Sequence, residues 1–172
     1  MDVQVLSENS LKIKIKKTSL IINPSASMPK TDADAIISFE KNTNTTKVTE
    51  YRLIINGTGE YEIGGVKISA ADISGGLMFT FGLDNFEMAL VKASSLANIS
   101  LDKVKNVDAV IINADLDINQ SVLTAMETRI VVLYGQQVKE AAAKLGKSGP
   151  ASSKVSFSEE KLPEESEIYL LS

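Results

Sequence analysis

The chemistry open to this 172-residue chain is concentrated in one polar stretch, Ser38-Phe39-Glu40-Lys41-Asn42-Thr43-Asn44, which follows the apolar run Ala35-Ile36-Ile37. Loops at the ends of buried strands often carry reactive groups. This one supplies a carboxylate, an ammonium, hydroxyls and carboxamides. Such a set can hydrogen-bond and exert charge. It holds no thiol, and the whole chain contains neither His nor Cys. Imidazole is the commonest general acid/base near neutral pH and the commonest metal ligand. Its absence excludes His-based triads, imidazole-bound zinc and imidazole proton relays, and the absence of thiols excludes disulfides and thiolate chemistry.

Three further groupings of polar residues were weighed. Glu60 and Glu62 in "GEYEIGG" fall on one face of a strand by the two-residue period and are expected to face water. An acid/base pair would need environments that drive the two pKa values apart, and nothing around them does so. "DLDINQ" opens like a calcium loop, but Gln120 stands where the turn needs Gly and Met126 where a bidentate Glu is needed. Asp117 or Asn119 reads instead as the cap of a helix beginning near Gln120. "LGKSG" has Ala141 where a phosphate-binding loop needs its first Gly, and it follows a helix rather than a strand.

The elements that must position these groups divide the chain in two. In the first half "LKIKIKK" alternates, placing Leu11, Ile13 and Ile15 on one face and Lys12, Lys14 and Lys16 on the other. This reads as a half-buried antiparallel strand with a solvated, edge-like lysine face rather than a phosphate-binding stripe. "SLIINP" is a strand stopped by Pro24, and Ala35 to Phe39 is another. "RLIING", "GVKISAA", "GLMFTFG" and "NFEMALV" follow as a meander, with Gly64 and Gly65 at a tight hairpin turn.

In the second half the pattern changes to strand and helix in alternation. "SLDKV" reads as a short helix capped by Ser100, "DAVIINA" and "RIVVLYG" as buried strands, and "NQSVLTAMET" and "QVKEAAAKLG" as helices, the last closed by Gly146. A Ser/Gly/Pro/Lys loop precedes the final strand "EIYLLS". Meander strands followed by β-α-β units predict a two-sheet α/β sandwich, in one domain spanning residues 1–172. With 44% hydrophobic and 23% charged residues and a net charge of −4, the chain reads as a soluble, cytoplasmic protein without affinity for nucleic acid. No apolar run reaches the ~20 residues that span a bilayer, and the stretch "MDVQVLSENSLKIKIKK" lacks the basic-then-apolar order expected of a signal peptide.

The order of "SLIINP", "DADAIISFEKNTNTTKV", "GTGEYEIGGVKI", "KVKNVDAVIINA", "RIVVLYG" and "LPEESEIYLL" resembles the small zinc-dependent hydrolases of the metallo-β-lactamase superfamily, nearest to the ascorbate-6-phosphate lactonase type. The resemblance implies an αββα sandwich of two mostly antiparallel or mixed sheets with flanking helices. It also implies where metal ligands would stand. The family's Thr/Ser-His-x-His-x-Asp-His loop falls on "SFEKNTN", with Phe39 and Lys41 at the paired-histidine positions, Thr43 at the aspartate and Asn44 at the next histidine. Its Asp-Pro falls on Asn23-Pro24, its bridging aspartate on Ser94 and its last histidine on Gly135.

Every one of these ligands is replaced, and Lys41 would set an ammonium where a dication belongs. The resemblance therefore implies a metal-free, cofactor-free relative that persists as an interaction, assembly or regulatory module with an unknown protein partner, self-association included. Lys41 is expected to neutralise carboxylates such as Asp72. Two alternatives remain: a hydrolase using Mg²⁺ or Mn²⁺ held by Glu40, Asp72, Asp84 or Asp115, and a small-ligand module using the vacated pocket.

Overall fold

The computed structural model describes residues 1–73, 76–96, 107–118, 120–146 and 150–172. Apolar residues at alternate positions make strands that each bury one face, and two sheets close those faces on each other. The first sheet is built from β1 (Asp2–Ser7), β2 (Ser10–Ile15), β3 (Thr18–Ile22), β5 (Ala35–Ile37), β7 (Leu53–Ile55) and β14 (Lys154–Ser156). Their order across the sheet is β14-β1-β2-β3-β5-β7. β1 to β3 run antiparallel, whereas β3, β5 and β7 run parallel. A short ribbon of β4 (Thr31–Asp32) and β6 (Val48–Thr49) lies apart from it.

The second sheet contains β8 (Gly59–Ile63), β9 (Val66–Ile73), β10 (Gly76–Leu83), β11 (Phe86–Lys92), β12 (Ala109–Asn113), β13 (Ile130–Tyr134) and β15 (Glu167–Leu170). The order is β15-β13-β12-β11-β10-β9-β8. The meander β8 to β11 is antiparallel, and β11, β12, β13 and β15 are parallel. The parallel steps carry the helices α1 (Ala93–Leu96), α2 (Gln120–Met126) and α3 (Val138–Lys144). Gly64 and Gly65 adopt φ of 58° and 81°, as the two-residue turn between β8 and β9 requires. Gly146, with φ 65°, follows α3.

The core between the sheets is continuous, running through Leu11, Ile13, Leu20, Ile22, Ile37, Ile55, Ile68, Phe79, Phe81, Leu90, Ile111 and Val132, with Tyr134 at its rim. A second cluster packs the outer face of the seven-stranded sheet against the helices through Val91, Val110, Ile112, Leu123, Met126, Leu133 and Ala141. On the outer face of the six-stranded sheet Ile21 and Ile36 are covered by Met28, Ala33 and Val48 from the ribbon and its loops.

Two details differ from the sequence reading. β2 is no edge strand but lies between β1 and β3. Its Lys12 reaches the ribbon, donating to Thr31 Oγ1 at 3.2 Å and to the Asp32 carbonyl at 3.1 Å, and Lys16 sits in the following turn at φ 52°. The expected loop before the last strand contains the edge strand β14, which pairs with β1 through Val3 and Val155. The helix expected at "SLDKV" and its cap Ser100 lie outside the described residues, as do Asn119 and Lys147 to Gly149. Of the two expected caps of the helix at Gln120, Asn119 is thus outside the described residues, and the Asp117 carboxylate pairs with Lys144.

Candidate functional site

The parallel strands β11, β12 and β13 are in register, with Lys92 opposite Asn113 and Asn113 opposite Tyr134. Matched positions in neighbouring strands share a face. Leu90, Ile111 and Val132, two residues earlier, point into the core between the sheets. Lys92, Asn113 and Tyr134 therefore form a polar row on the same inner face, at the C-terminal edge of the sandwich. Open α/β sheets tend to bind ligands at such carboxyl ends.

The facing sheet contributes Asn23, just past β3, and the loop that follows β5. Asn23 adopts the left-handed region at φ 44°, which Asn tolerates better than most residues. Its N–H donates to the Ile37 carbonyl at 2.8 Å, and its Oδ1 accepts the Phe39 N–H at 3.0 Å. The Ser10 hydroxyl donates to the Asn23 carbonyl at 2.7 Å. One carboxamide thus ties the end of β3 to the end of β5. Its Nδ2 has no hydrogen-bond partner among the described residues.

The loop is held by its own side chains. The Ser38 hydroxyl accepts the Glu40 N–H at 3.1 Å and donates to the Glu40 carbonyl at 3.0 Å, where Thr43 Oγ1 also donates at 3.2 Å. Asn44 Oδ1 accepts from the Thr46 N–H and hydroxyl. Asn56 Nδ2 donates to the Lys41 carbonyl at 2.9 Å. Phe39 turns back over the core, its ring centroid 5.4 Å from that of Phe79.

The cation of the site is Lys92, which the sequence reading did not single out. Its Nζ lies 2.7 Å from Glu40 Oε1 and 5.6 Å from the Phe39 ring centroid. Lys41, expected in that role, is exposed and makes no ion pair among the described residues. Nor does Asp72, which is exposed near the end of β9. The proposed Lys41–Asp72 neutralisation is therefore absent, because alternation carries Lys92 inward while the loop carries Lys41 into solvent.

Tyr134 is the other group that sequence matching missed. It is fully buried, and its hydroxyl makes no hydrogen bond. Burial pushes the phenol pKa well above its ordinary value, and the Asp115 charge adds to this. The carboxamides of Asn113 and Asn23 act the other way, favouring the phenolate, although neither attains hydrogen-bonding geometry. Asn113 Nδ2 makes a long contact, 3.4 Å, to Asn9 Oδ1 in the β1–β2 turn.

Ser94 and Gly135 occupy the rim in other ways. Ser94 binds Asp115, its N–H reaching Oδ1 at 2.9 Å and its hydroxyl Oδ2 at 2.6 Å. Gly135, at φ 114°, lets the end of β13 approach the end of β12. A Cβ there would stand 3.1 Å from both Ala114 N and Asn113 Nδ2.

The structure thus brings Asn23, Phe39, Glu40, Ser94, Asp115 and Gly135 to one rim, with Thr43 and Asn44 in the bordering loop. Asp84 is elsewhere, in the β10–β11 turn at the opposite end, where it pairs with Lys16 at 2.6 Å. Among the described residues no three Asp or Glu stand close enough to share a metal ion. A zinc ion needs nitrogen, thiolate or carboxylate donors converging at about 2.0–2.3 Å. The rim offers carboxamides, a phenol and an ammonium, and its two carboxylates are engaged by Ser94 and Lys92. This donor set does not fit zinc. The signal that could have found the row is its periodicity: "LVK", "IIN" and "VLY" each end a buried strand with a polar group two residues after a core residue.

No protein-family model matches the sequence, and a search of curated proteins finds no relative of it. Solved structures do match. A protein of Thermotoga maritima assigned to the zinc-dependent hydrolases of the metallo-β-lactamase superfamily superposes with a TM-score of 0.77 at 12% identity, over 99% of this chain and 98% of that one. An isothiocyanate hydrolase from Delia radicum gut bacteria gives 0.61 at 10% identity, over 92% and 100%. A metallo-hydrolase of the archaeon Ignicoccus hospitalis gives 0.57 at 7%, over 91% and 99%. At these identities the likeness is one of fold. The chain has the metallo-β-lactamase fold.

Proposed function

We propose that this metallo-β-lactamase fold is a degenerate, non-catalytic member of its superfamily, a single domain of the ascorbate-6-phosphate lactonase-like branch in which all the metal ligands have been replaced. Its role is interaction, assembly or regulation in the cytoplasm, with self-association as one form of it. The observation that carries the reading is the ammonium of Lys92, which stands in the inner strand-end row beside Asn113 and Tyr134 and over Phe39. A cation fixed there opposes a dication, and the remaining donors are poor zinc ligands. Solved hydrolases share the fold, but function lives in the site and not in the fold. The alternative of Mg²⁺ or Mn²⁺ held by carboxylates draws no support from Glu40, Asp72, Asp84 and Asp115, which do not converge.

The test is elemental mass spectrometry of the purified, untagged protein after expression with Zn, Mn and Fe. Less than about a tenth of an equivalent is expected, where functional sites hold about one or two. A stoichiometric metal together with turnover in an esterase, lactonase or phosphodiesterase screen would overturn the reading.

A further inference from the structure

The rim holds more hydrogen-bond donors than it uses. Asn23 commits its Oδ1 to the Phe39 N–H, and its Nδ2 makes no hydrogen bond among the described residues. The Tyr134 hydroxyl is fully buried with no hydrogen-bond partner among the described residues, a condition that is costly unless something satisfies it. Asn113, 3% exposed, spends one amide hydrogen on a long bond to Asn9. Lys92 supplies a positive charge in the same row, its side chain 26% exposed.

Acceptors are scarcer. The Asp115 carboxylate is bound by the N–H and hydroxyl of Ser94, and its charge faces the row from beyond β12. Among the described residues Lys92 donates to the Glu40 carboxylate, which is 68% exposed. It reaches the rim from a loop with no regular secondary structure, and exposed pairs of this kind hold only weakly.

We infer that this rim is a binding site for a small monocarboxylate, held by Lys92, Asn23 and Tyr134, and that Glu40 is its built-in competitor. The negative charge of the ligand takes the ammonium from Glu40, while its second oxygen accepts from the phenol and the Asn23 amide that are now unsatisfied. Charge-assisted bonds of this type are shorter and about twice as strong as neutral ones. The ammonium is already paired with Glu40, so occupancy requires the Lys92–Glu40 pair to part. Asp115 sets the sign of selectivity within anions: a dianion is repelled more than a monoanion. The inference is independent of the interaction-module reading, since it concerns an organic anion whose binding is measured without metal or turnover.

The experiment is calorimetric titration of the full chain with sodium acetate at constant ionic strength, chloride replacing acetate. Saturable binding is expected for the wild type. Lys92→Met is expected to weaken it by about tenfold or more, and Tyr134→Phe, which suits the buried position, by several-fold. Glu40→Gln is expected to tighten it by several-fold because the competitor is removed. Absence of saturation up to about 50 mM acetate, an affinity near 2 kcal/mol, would overturn the proposal. So would binding indifferent to Lys92→Met and Tyr134→Phe, which would place acetate elsewhere. Inorganic phosphate binding with the same variant dependence while acetate does not would overturn the carboxylate assignment.

Discussion

Along β11, β12 and β13 the residues Leu90, Ile111 and Val132 share a face with Lys92, Asn113 and Tyr134, two places further on. The first three are fully buried and apolar, packed against the opposite sheet. The second three carry an ammonium, a carboxamide and a phenol, one of them with no partner. One turn of the pleat thus separates an apolar, close-packed interior, where every methylene lost is felt, from a polar rim. The difference explains how a rim can be rewritten under an unchanged fold: the strands are positioned by the core beneath, and the rim residues inherit that position.

The comparison breaks if the interior proves tolerant. Phe79 is fully buried, lies opposite Leu90 in the β10–β11 ladder and supports the Phe39 ring from below. Phe79→Ala is expected to lower unfolding stability by about 3–5 kcal/mol, the cost of a large aromatic removed from a packed core. Urea denaturation measures it through a lower midpoint at an unchanged slope. A loss below about 1 kcal/mol, within the range of a surface substitution, would mean that the sheets are not held by this interior.

The rim is sharpened by a substitution of opposite sign. Tyr134→Phe removes only the oxygen that lacks a partner, so stability is expected to rise by about 1 kcal/mol. The pH dependence follows from the raised phenol pKa. A group whose folded pKa lies above its unfolded value gives stability that is complete below the unfolded value, about 10 for tyrosine, and lost as pH rises beyond it. The advantage of the variant is therefore expected to widen above about pH 10 and to stay flat below it. A destabilised variant at neutral pH would show that the hydroxyl is bonded in solution.

The same contrast separates what the residue order could disclose from what it could not. Strands with a two-residue period were legible because burial on one face leaves a direct trace, as in Leu11, Ile13 and Ile15. So was the hairpin at Gly64 and Gly65, whose left-handed φ few other residues adopt. β14 was not, since a three-residue edge strand with Val155 as its one buried residue carries almost no period. At the rim, Asn23 and the loop from Ser38 were legible because each directly follows an apolar run. Lys92, Asn113 and Tyr134 were missed: some twenty residues separate each from the next, and only the parallel register sets them side by side. The positions matched by motif, Ser94 and Gly135, lie just past the ends of β11 and β13. In a strand, a slip of one reverses the face and a slip past the end leaves the sheet.

The smallest expected effect is at the mouth of the rim, where Lys92 meets Glu40. With side chains 26% and 68% exposed, the pair is screened by water, and Glu40→Gln is expected to change stability by no more than about 0.5 kcal/mol at low salt and by less at high salt. Lys92→Met differs, because it also removes the ammonium that stands 5.6 Å from the Phe39 ring centroid. It too is expected to fall within about 1 kcal/mol of wild type. A double-mutant cycle in urea at two ionic strengths checks both and yields the coupling directly. A coupling above about 2 kcal/mol that salt does not reduce would mark the pair as a buried structural tie. The mouth would then belong with the interior rather than with the rim, and Glu40 could not give way to an incoming anion.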